Sequence, residues 1–209
     1  MEALVKEYQK KFRKVREEMD QWDLLQSQLL SQFRNAVSII ERLQLIQDRN
    51  SYGALECVEG VRDAVLRKQL ESLDSIFISM NQMLEELHDV VKFLERTHRN
   101  TRQWVNKLTT KQLDQQVGLK PCVRYCSDSL MLLHEMHQSE YLLKSSLVSA
   151  LSVLTLKPSR GGHGLQVEHS ESHNDGDLMA LQQLLIDQPN IPKEEVQFIF
   201  EIIFADETF

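Results

Sequence analysis

The chain has 209 residues, room for one or two modest domains, with 42% hydrophobic and 26% charged residues, a globular balance rather than a disordered one. Its 24 basic and 31 acidic residues leave a net charge of −7, which argues against a broad electrostatic footprint for nucleic acid. Seven glycines and four prolines are too few for a turn-rich β-fold.

The start, MEALVKEYQKKF, is polar and lacks the apolar stretch of a signal peptide. No run of about 18 uncharged apolar residues occurs, so no membrane span is expected. Cys57, Cys122 and Cys126 are too scattered for a disulfide framework, which points to a reducing, intracellular compartment. The basic stretch from Lys6 to Arg16 is interleaved with and followed by Glu7, Glu17 and Glu18, the pattern of a mixed solvated helix face.

The first helix is written in heptads. Positions a and d, counted from Val5, carry Val5, Tyr8, Phe12, Val15, Met19, Trp22, Gln26, Leu29, Phe33, Ala36, Ile40, Leu43 and Gln47, all apolar but the two glutamines. No proline or glycine interrupts Met1 to Tyr52. A repeat of about 3.5 residues held this long is the coiled-coil signal. At about 1.5 Å per residue the helix is roughly 65 Å long, which requires a partner of similar length.

Asp48-Arg49-Asn50-Ser51-Tyr52-Gly53 is turn chemistry, and Gly60 delays the next helix. The seam resumes at Leu66 and runs through Leu70, Leu73, Phe77, Met80, Leu84, Leu87, Val91 and Leu94 to Leu108. Ile76, Met83 and Val90 widen the stripe, so this helix is expected to touch more than one neighbour. The short connection predicts an antiparallel hairpin. His98 and Thr101 interrupt the seam, as a frayed or kinked helix end or as a polar layer that fixes register.

A third helix is expected from about Pro121, with Val123, Cys126, Leu130, Leu133, Leu147 and Leu151 on its apolar side, ending at Lys157-Pro158. Residues 159–176 are small, polar and glycine-rich, the composition of a flexible linker. Two short helices follow, Asp177–Asp187 and Lys193–Ala205. In the second, Val196, Phe198, Ile199, Phe200, Ile202, Ile203 and Phe204 are apolar nearly all round, so it packs either against its own bundle or in a partner's groove.

Chemistry-bearing patterns are sparse. The glycine cluster Gly161–Gly164 lacks the Lys-Ser/Thr of a phosphate loop. His134 and His137 are spaced three apart rather than as H-E-x-x-H, and Cys122 and Cys126 stack on one helix face without the C-x-x-C spacing of zinc ligands. His163, His169 and His173 offer at most weak chelation. Ser172, followed at +3 by Asp175, is a candidate site for an acidophilic kinase. The residues predict no enzyme, cofactor or metal centre.

Short motifs in a consistent order resemble the casein kinase 2 substrate family. They are Val15-x-Glu17-Glu18 before Trp22, Glu41-x-Leu43-Gln44-x-x-Gln47, Leu66-Arg67-Lys68-Gln69-Leu70, Tyr141-Leu142-x-Lys144-x-x-Leu147, and Glu195-x-Gln197 ahead of the apolar, acid-ended tail. Ser145 and Ser146 follow Lys144 where the family segment is more basic, and the glycine-rich linker is longer. The resemblance implies a ribosome maturation factor. As such the chain would be a non-catalytic adaptor for an AAA-ATPase assembly acting on precursors of the large ribosomal subunit. It would work with AAA-ATPase subunits and a second small helical subunit, touch the precursors indirectly, and reside in cytoplasm and nucleus. No membrane and no sequence-specific nucleic acid are expected as partners. A coiled-coil subunit of a cytoskeletal, cell-cycle or vesicle-tethering complex is the alternative.

The expected architecture is all-α: a long antiparallel coiled-coil-like hairpin with a third packed helix (1–157), a linker (158–176) and a short C-terminal helical pair (177–209). Candidate partner-binding residues are the exposed pair Arg67 and Lys68 and the tail residues Phe198, Ile202 and Phe204.

Overall fold

The computed structural model describes residues 1–47, 59–116, 118–156 and 171–206, and the described residues contain helices and turns with no strand. The helices are α1 (Glu2–Gln47), α2 (Val61–Val105), α3 (Thr110–Leu113), α4 (Val123–Leu156), α5 (Glu171–Asp187) and α6 (Lys193–Ile203). α1 and α2 form the long hairpin and α4 packs as a third helix.

Every described seam position of α1, from Val5 to Leu43, is buried. Gln26 is 7% exposed in the seam, and Gln47 has a side chain outside the described set.

α2 begins five residues before the expected seam. Gly60 adopts φ +78° and its carbonyl accepts from Ala64 N at 3.1 Å, so the glycine opens the first turn in a conformation an L side chain rarely adopts. The early seam positions do not close: Leu66 is half-buried and Leu70 exposed, Leu73 is buried but Phe77 only half-buried, and continuous burial starts at Met80. Nor does α2 fray at His98. It runs on to Val105, and Thr101 Oγ1 donates to the carbonyls of Thr97 (3.1 Å) and His98 (3.0 Å). A threonine that satisfies its hydroxyl on the preceding turn can sit in a buried stripe without breaking the helix. Thr97 and Thr101 are both buried, so the polar layer is what the structure contains.

The short α3 was not expected. It is set by a capping box in which Thr109 accepts from Gln112 N and Gln112 reaches back to Thr109 N. α4 starts at Val123, just past the buried Pro121. α5 starts at Glu171, so residues 171–176, expected as linker, are helical. The turn at 48–53, the glycine cluster and most of the expected linker lie outside the described residues, as do Cys57, His163 and His169.

The chain divides into two compact units. One comprises Met1–Leu25, Glu85–Leu143 and Gln188–Phe209, and the other Gln26–Leu84 and Lys144–Asp187. The first holds the beginning of α1, the end of α2, α3, most of α4 and all of α6. In it Tyr8 is fully buried, stands edge-on to Trp104 at 5.3 Å and donates its hydroxyl to the Thr101 carbonyl at 3.4 Å. The second unit is built from the distal α1, the early α2, the end of α4 and α5. Its core is Leu29, Phe33, Leu73, Met80, Leu147 and Leu151. Within it Gln26 Nε2 donates to the Leu185 carbonyl at 2.6 Å, capping one of the last free carbonyls of α5.

Candidate functional site

Within the first unit, α6 closes over α1. Glu194 and Glu195 in its first turn suit the positive end of the helix. Its apolar residues divide between two faces. Ile199, Phe200, Ile203 and Phe204 are buried, Val196 and Ile202 are half-buried, and Phe198 is 57% exposed. Four large buried side chains, each contributing about 1.5–3 kcal/mol on burial, hold the helix down.

The contacts are specific. Phe200 meets Phe12 edge-on at 6.1 Å and stacks with Phe204 at 6.4 Å. Arg16 lies over both rings, 4.9 Å from the Phe200 centroid and 4.7 Å from that of Phe204, and Arg13 lies 5.8 Å from the latter. Basic residues expected to form only a solvated face thus cover the aromatic tail with their guanidinium planes. Gln9 Nε2 donates to the Ile203 carbonyl at 2.9 Å and to Asp206 Oδ1 at 2.6 Å, capping the end of α6. Lys120 ties the same end to the start of α1 through Asp206 (3.7 Å) and Glu2 (3.0 Å).

The turn before α6 is pinned by buried polar groups. Gln188 has φ +45° and is 5% exposed, and its Oε1 accepts from Trp22 Nε1 at 3.0 Å. Glu140, fully buried on α4, accepts from both N and Nδ2 of Asn190 at 3.1 Å. His137 donates from Nδ1 to the Leu133 carbonyl at 2.7 Å and meets Trp22 edge-on at 4.8 Å. A buried helix histidine engaged in this way positions Trp22. Among the described residues no group of three or more His, Cys, Asp or Glu is placed to hold a metal ion.

Beside this turn lies an open groove of about 690 Å³. Met19, Trp22, Ile191, Val196 and Phe200 give it an apolar floor, and Asp20, Asp23 and Glu201 stand against Arg16 and Lys193 on its rim.

The expected partner-binding residues separate. Phe198 is exposed and Ile202 half-buried on α6, and neither lines the groove. Phe204 is buried: at 8% exposure, stacked on Phe200 and covered by Arg16, it belongs to the internal face of α6. Arg67 and Lys68 are exposed on α2 in the second unit, flanked by exposed Val65 and Leu70. Ser172 falls in the first turn of α5, with its side chain outside the described set. Lys144, central to the third-helix motif, is fully buried in the second unit, and so is a core residue rather than a surface contact.

Cys126 is also fully buried, and loss of hydration pushes its thiol up to about 12. Among the described residues no helix is long and apolar enough to cross a membrane.

Sequence reasoning found α6 but missed the glutamines and the Trp22–Gln188 and Glu140–Asn190 pairs that seat it. These are the features of an all-α bundle protein closed by a docked C-terminal helix, with an apolar groove beside that helix. The family model described as CA109-like, ribosome biogenesis protein C1orf109-like, matches residues 2–208. The chain belongs to this family of ribosome biogenesis proteins. No curated protein matches it.

Proposed function

We propose that this chain is a non-catalytic adaptor subunit of an AAA-ATPase assembly in maturation of the large ribosomal subunit, acting in cytoplasm and nucleus. The observation that carries the reading is membership, over nearly the whole chain, in a ribosome biogenesis family. The finer role comes from the resemblance of the sequence motifs to a maturation factor that works with such ATPases.

The outward face of α6 supports a docking role. A phenylalanine more than half exposed on this helix is the type of anchor that interfaces use. In this reading Phe198 and Ile202 meet an ATPase subunit or the second small helical subunit, while Arg67 and Lys68 offer a separate polar contact. Large-subunit precursors are engaged indirectly, and ATP hydrolysis belongs to the partner. Ser172 is a site for an acidophilic kinase, to be read by mass spectrometry of the protein from growing cells.

Affinity purification of the tagged protein tests the proposal. It should recover an AAA-ATPase together with large-subunit precursors, and Phe198→Asp should lose the ATPase while the circular dichroism of the purified protein stays unchanged. Recovery of tubulin-associated or vesicle proteins alone would refute it and favour the tethering alternative.

A further inference from the structure

The net charge of −7 hides an uneven distribution. From Lys92 to Arg124 there are eight basic residues against only Glu95 and Asp114, a net charge of +6 in an otherwise acidic chain. All of this stretch lies in the first compact unit, on the end of α2, α3 and the start of α4.

On α2, Lys92, Arg96, Arg99 and Gln103 recur at i, i+4, i+7 and i+11, which places them on one side of the helix. That side is opposite the buried Val91, Leu94 and Thr101, and all four residues are exposed. Lys107 and Lys111, also exposed, continue the basic character past the end of α2. Lys92 and Arg99 are partly neutralised by Asp89 and Glu95, surface pairs that water and salt screen. Arg96, Arg102, Lys107 and Lys111 form no ion pair among the described residues. Arg96 Nε donates to the Lys92 carbonyl at 3.1 Å, and the residue shares a shallow pocket with Glu18, Glu86 and Asp89, so its charge is the most offset of the four.

Two kinds of acidic partner suit such a stripe: a nucleic acid and an acidic protein. Protein interfaces draw most of their binding energy from apolar or aromatic anchors. Among the described residues of this stretch the one large exposed hydrophobic side chain is Leu119, 63% exposed, a small anchor for a protein interface. Phosphate binding needs no such anchor, because release of counterions supplies the affinity. Asn100, Gln103 and Asn106, exposed among the cations, add amides of the kind that bond phosphate and sugar.

We propose that the exposed cations at the end of α2 and on α3 bind the phosphate backbone of RNA without reading its sequence. The idea goes beyond the adaptor role, which requires no RNA contact by this chain, and it stands or falls separately.

The test is fluorescence anisotropy of a short labelled single-stranded RNA titrated with the full-length protein over a series of salt concentrations. With four free cations each displacing counterions, the slope of log affinity against log salt is about −3, from about −0.7 per contact. Combining Arg96→Glu, Arg102→Glu, Lys107→Glu and Lys111→Glu should bring the slope close to zero and weaken binding at low salt at least tenfold. The same four positions changed to Gln should give an intermediate slope, and circular dichroism should show both variants folded. Two RNAs of unrelated sequence should bind alike. Absence of binding at low salt, or an unchanged slope in the Glu variant, overturns the proposal. So does polyglutamate displacing the label as well as unlabelled RNA does, which would assign the stripe to an acidic protein.

Discussion

Phe200→Ala separates the internal face of α6 from its outward face. The ring is 8% exposed, meets Phe12 edge-on at 6.1 Å, stacks with Phe204 at 6.4 Å and lies under Arg16 at 4.9 Å. Truncating a buried phenylalanine costs about 3–5 kcal/mol, of which each aromatic pair accounts for about 0.5–1.5. Phe200 also lines the groove, so water can enter part of the vacated space, and the lower end, about 3 kcal/mol, is expected. For Phe198, 57% exposed, the same substitution should cost no more than about 0.5 kcal/mol. Urea unfolding followed by tryptophan fluorescence measures both, because Trp22 and Trp104, the only two tryptophans, belong to the first unit. With an m-value of about 2 kcal/mol per molar urea, Phe200→Ala should lower the midpoint by about 1.5 M and Phe198→Ala by less than about 0.3 M. Equal shifts would mean that α6 does not dock on Phe12 and Arg16 as described.

Three further outcomes follow from the same unit. Trp22→Phe keeps an aromatic ring but removes both the donor to Gln188 Oε1 and part of a buried indole, and should cost about 2–4 kcal/mol in the same urea titration. Glu140→Ala deprives Asn190 of its acceptor for two hydrogen bonds and should cost about 2 kcal/mol, with faster amide exchange at Asn190 as the local readout. Cys126, left as the one cysteine after Cys57→Ser and Cys122→Ser, should react with a thiol reagent at mildly alkaline pH only on unfolding. Its folded pKa, about 12, lies above the ordinary 9.0, so the stability it contributes is complete below pH 9 and is lost as pH rises toward 12. Cys126→Ala should therefore flatten the alkaline decline in midpoint across that window, and an unchanged decline would discount the buried thiol.

The α1 seam was legible because a period of about 3.5 residues leaves one consistent face, and every described position on it is buried. The same logic overreached in α2. Leu66 and Leu70 keep the period yet stay half-buried and exposed, since a stripe in sequence does not reveal where its cover begins. Thr109-x-x-Gln112 carried a visible capping signal for α3. For α6, composition announced burial, but its near all-round apolar character could not tell Phe204, inside, from Phe198, outside. That distinction depends on Phe12, Arg16 and Gln9, close to two hundred residues away. The clamp at Gln188 was illegible for the same reason: its partner Trp22 is 166 residues distant and reads as one more seam residue.

Gln9 and Gln26, set on the first helix, bond carbonyls near the ends of α6 and α5 across separations of 194 and 159 residues. Contacts between such distant parts of the chain form late in folding, because a large loop must close first. During synthesis, which proceeds from the amino end, the first turns of α1 have to wait for α6. Until α6 emerges, Phe12 and the groove face of α1 lack their cover, and a nascent chain holds an apolar strip open to chaperones and to aggregation. Emergence of α6 is then the event that seals the first unit.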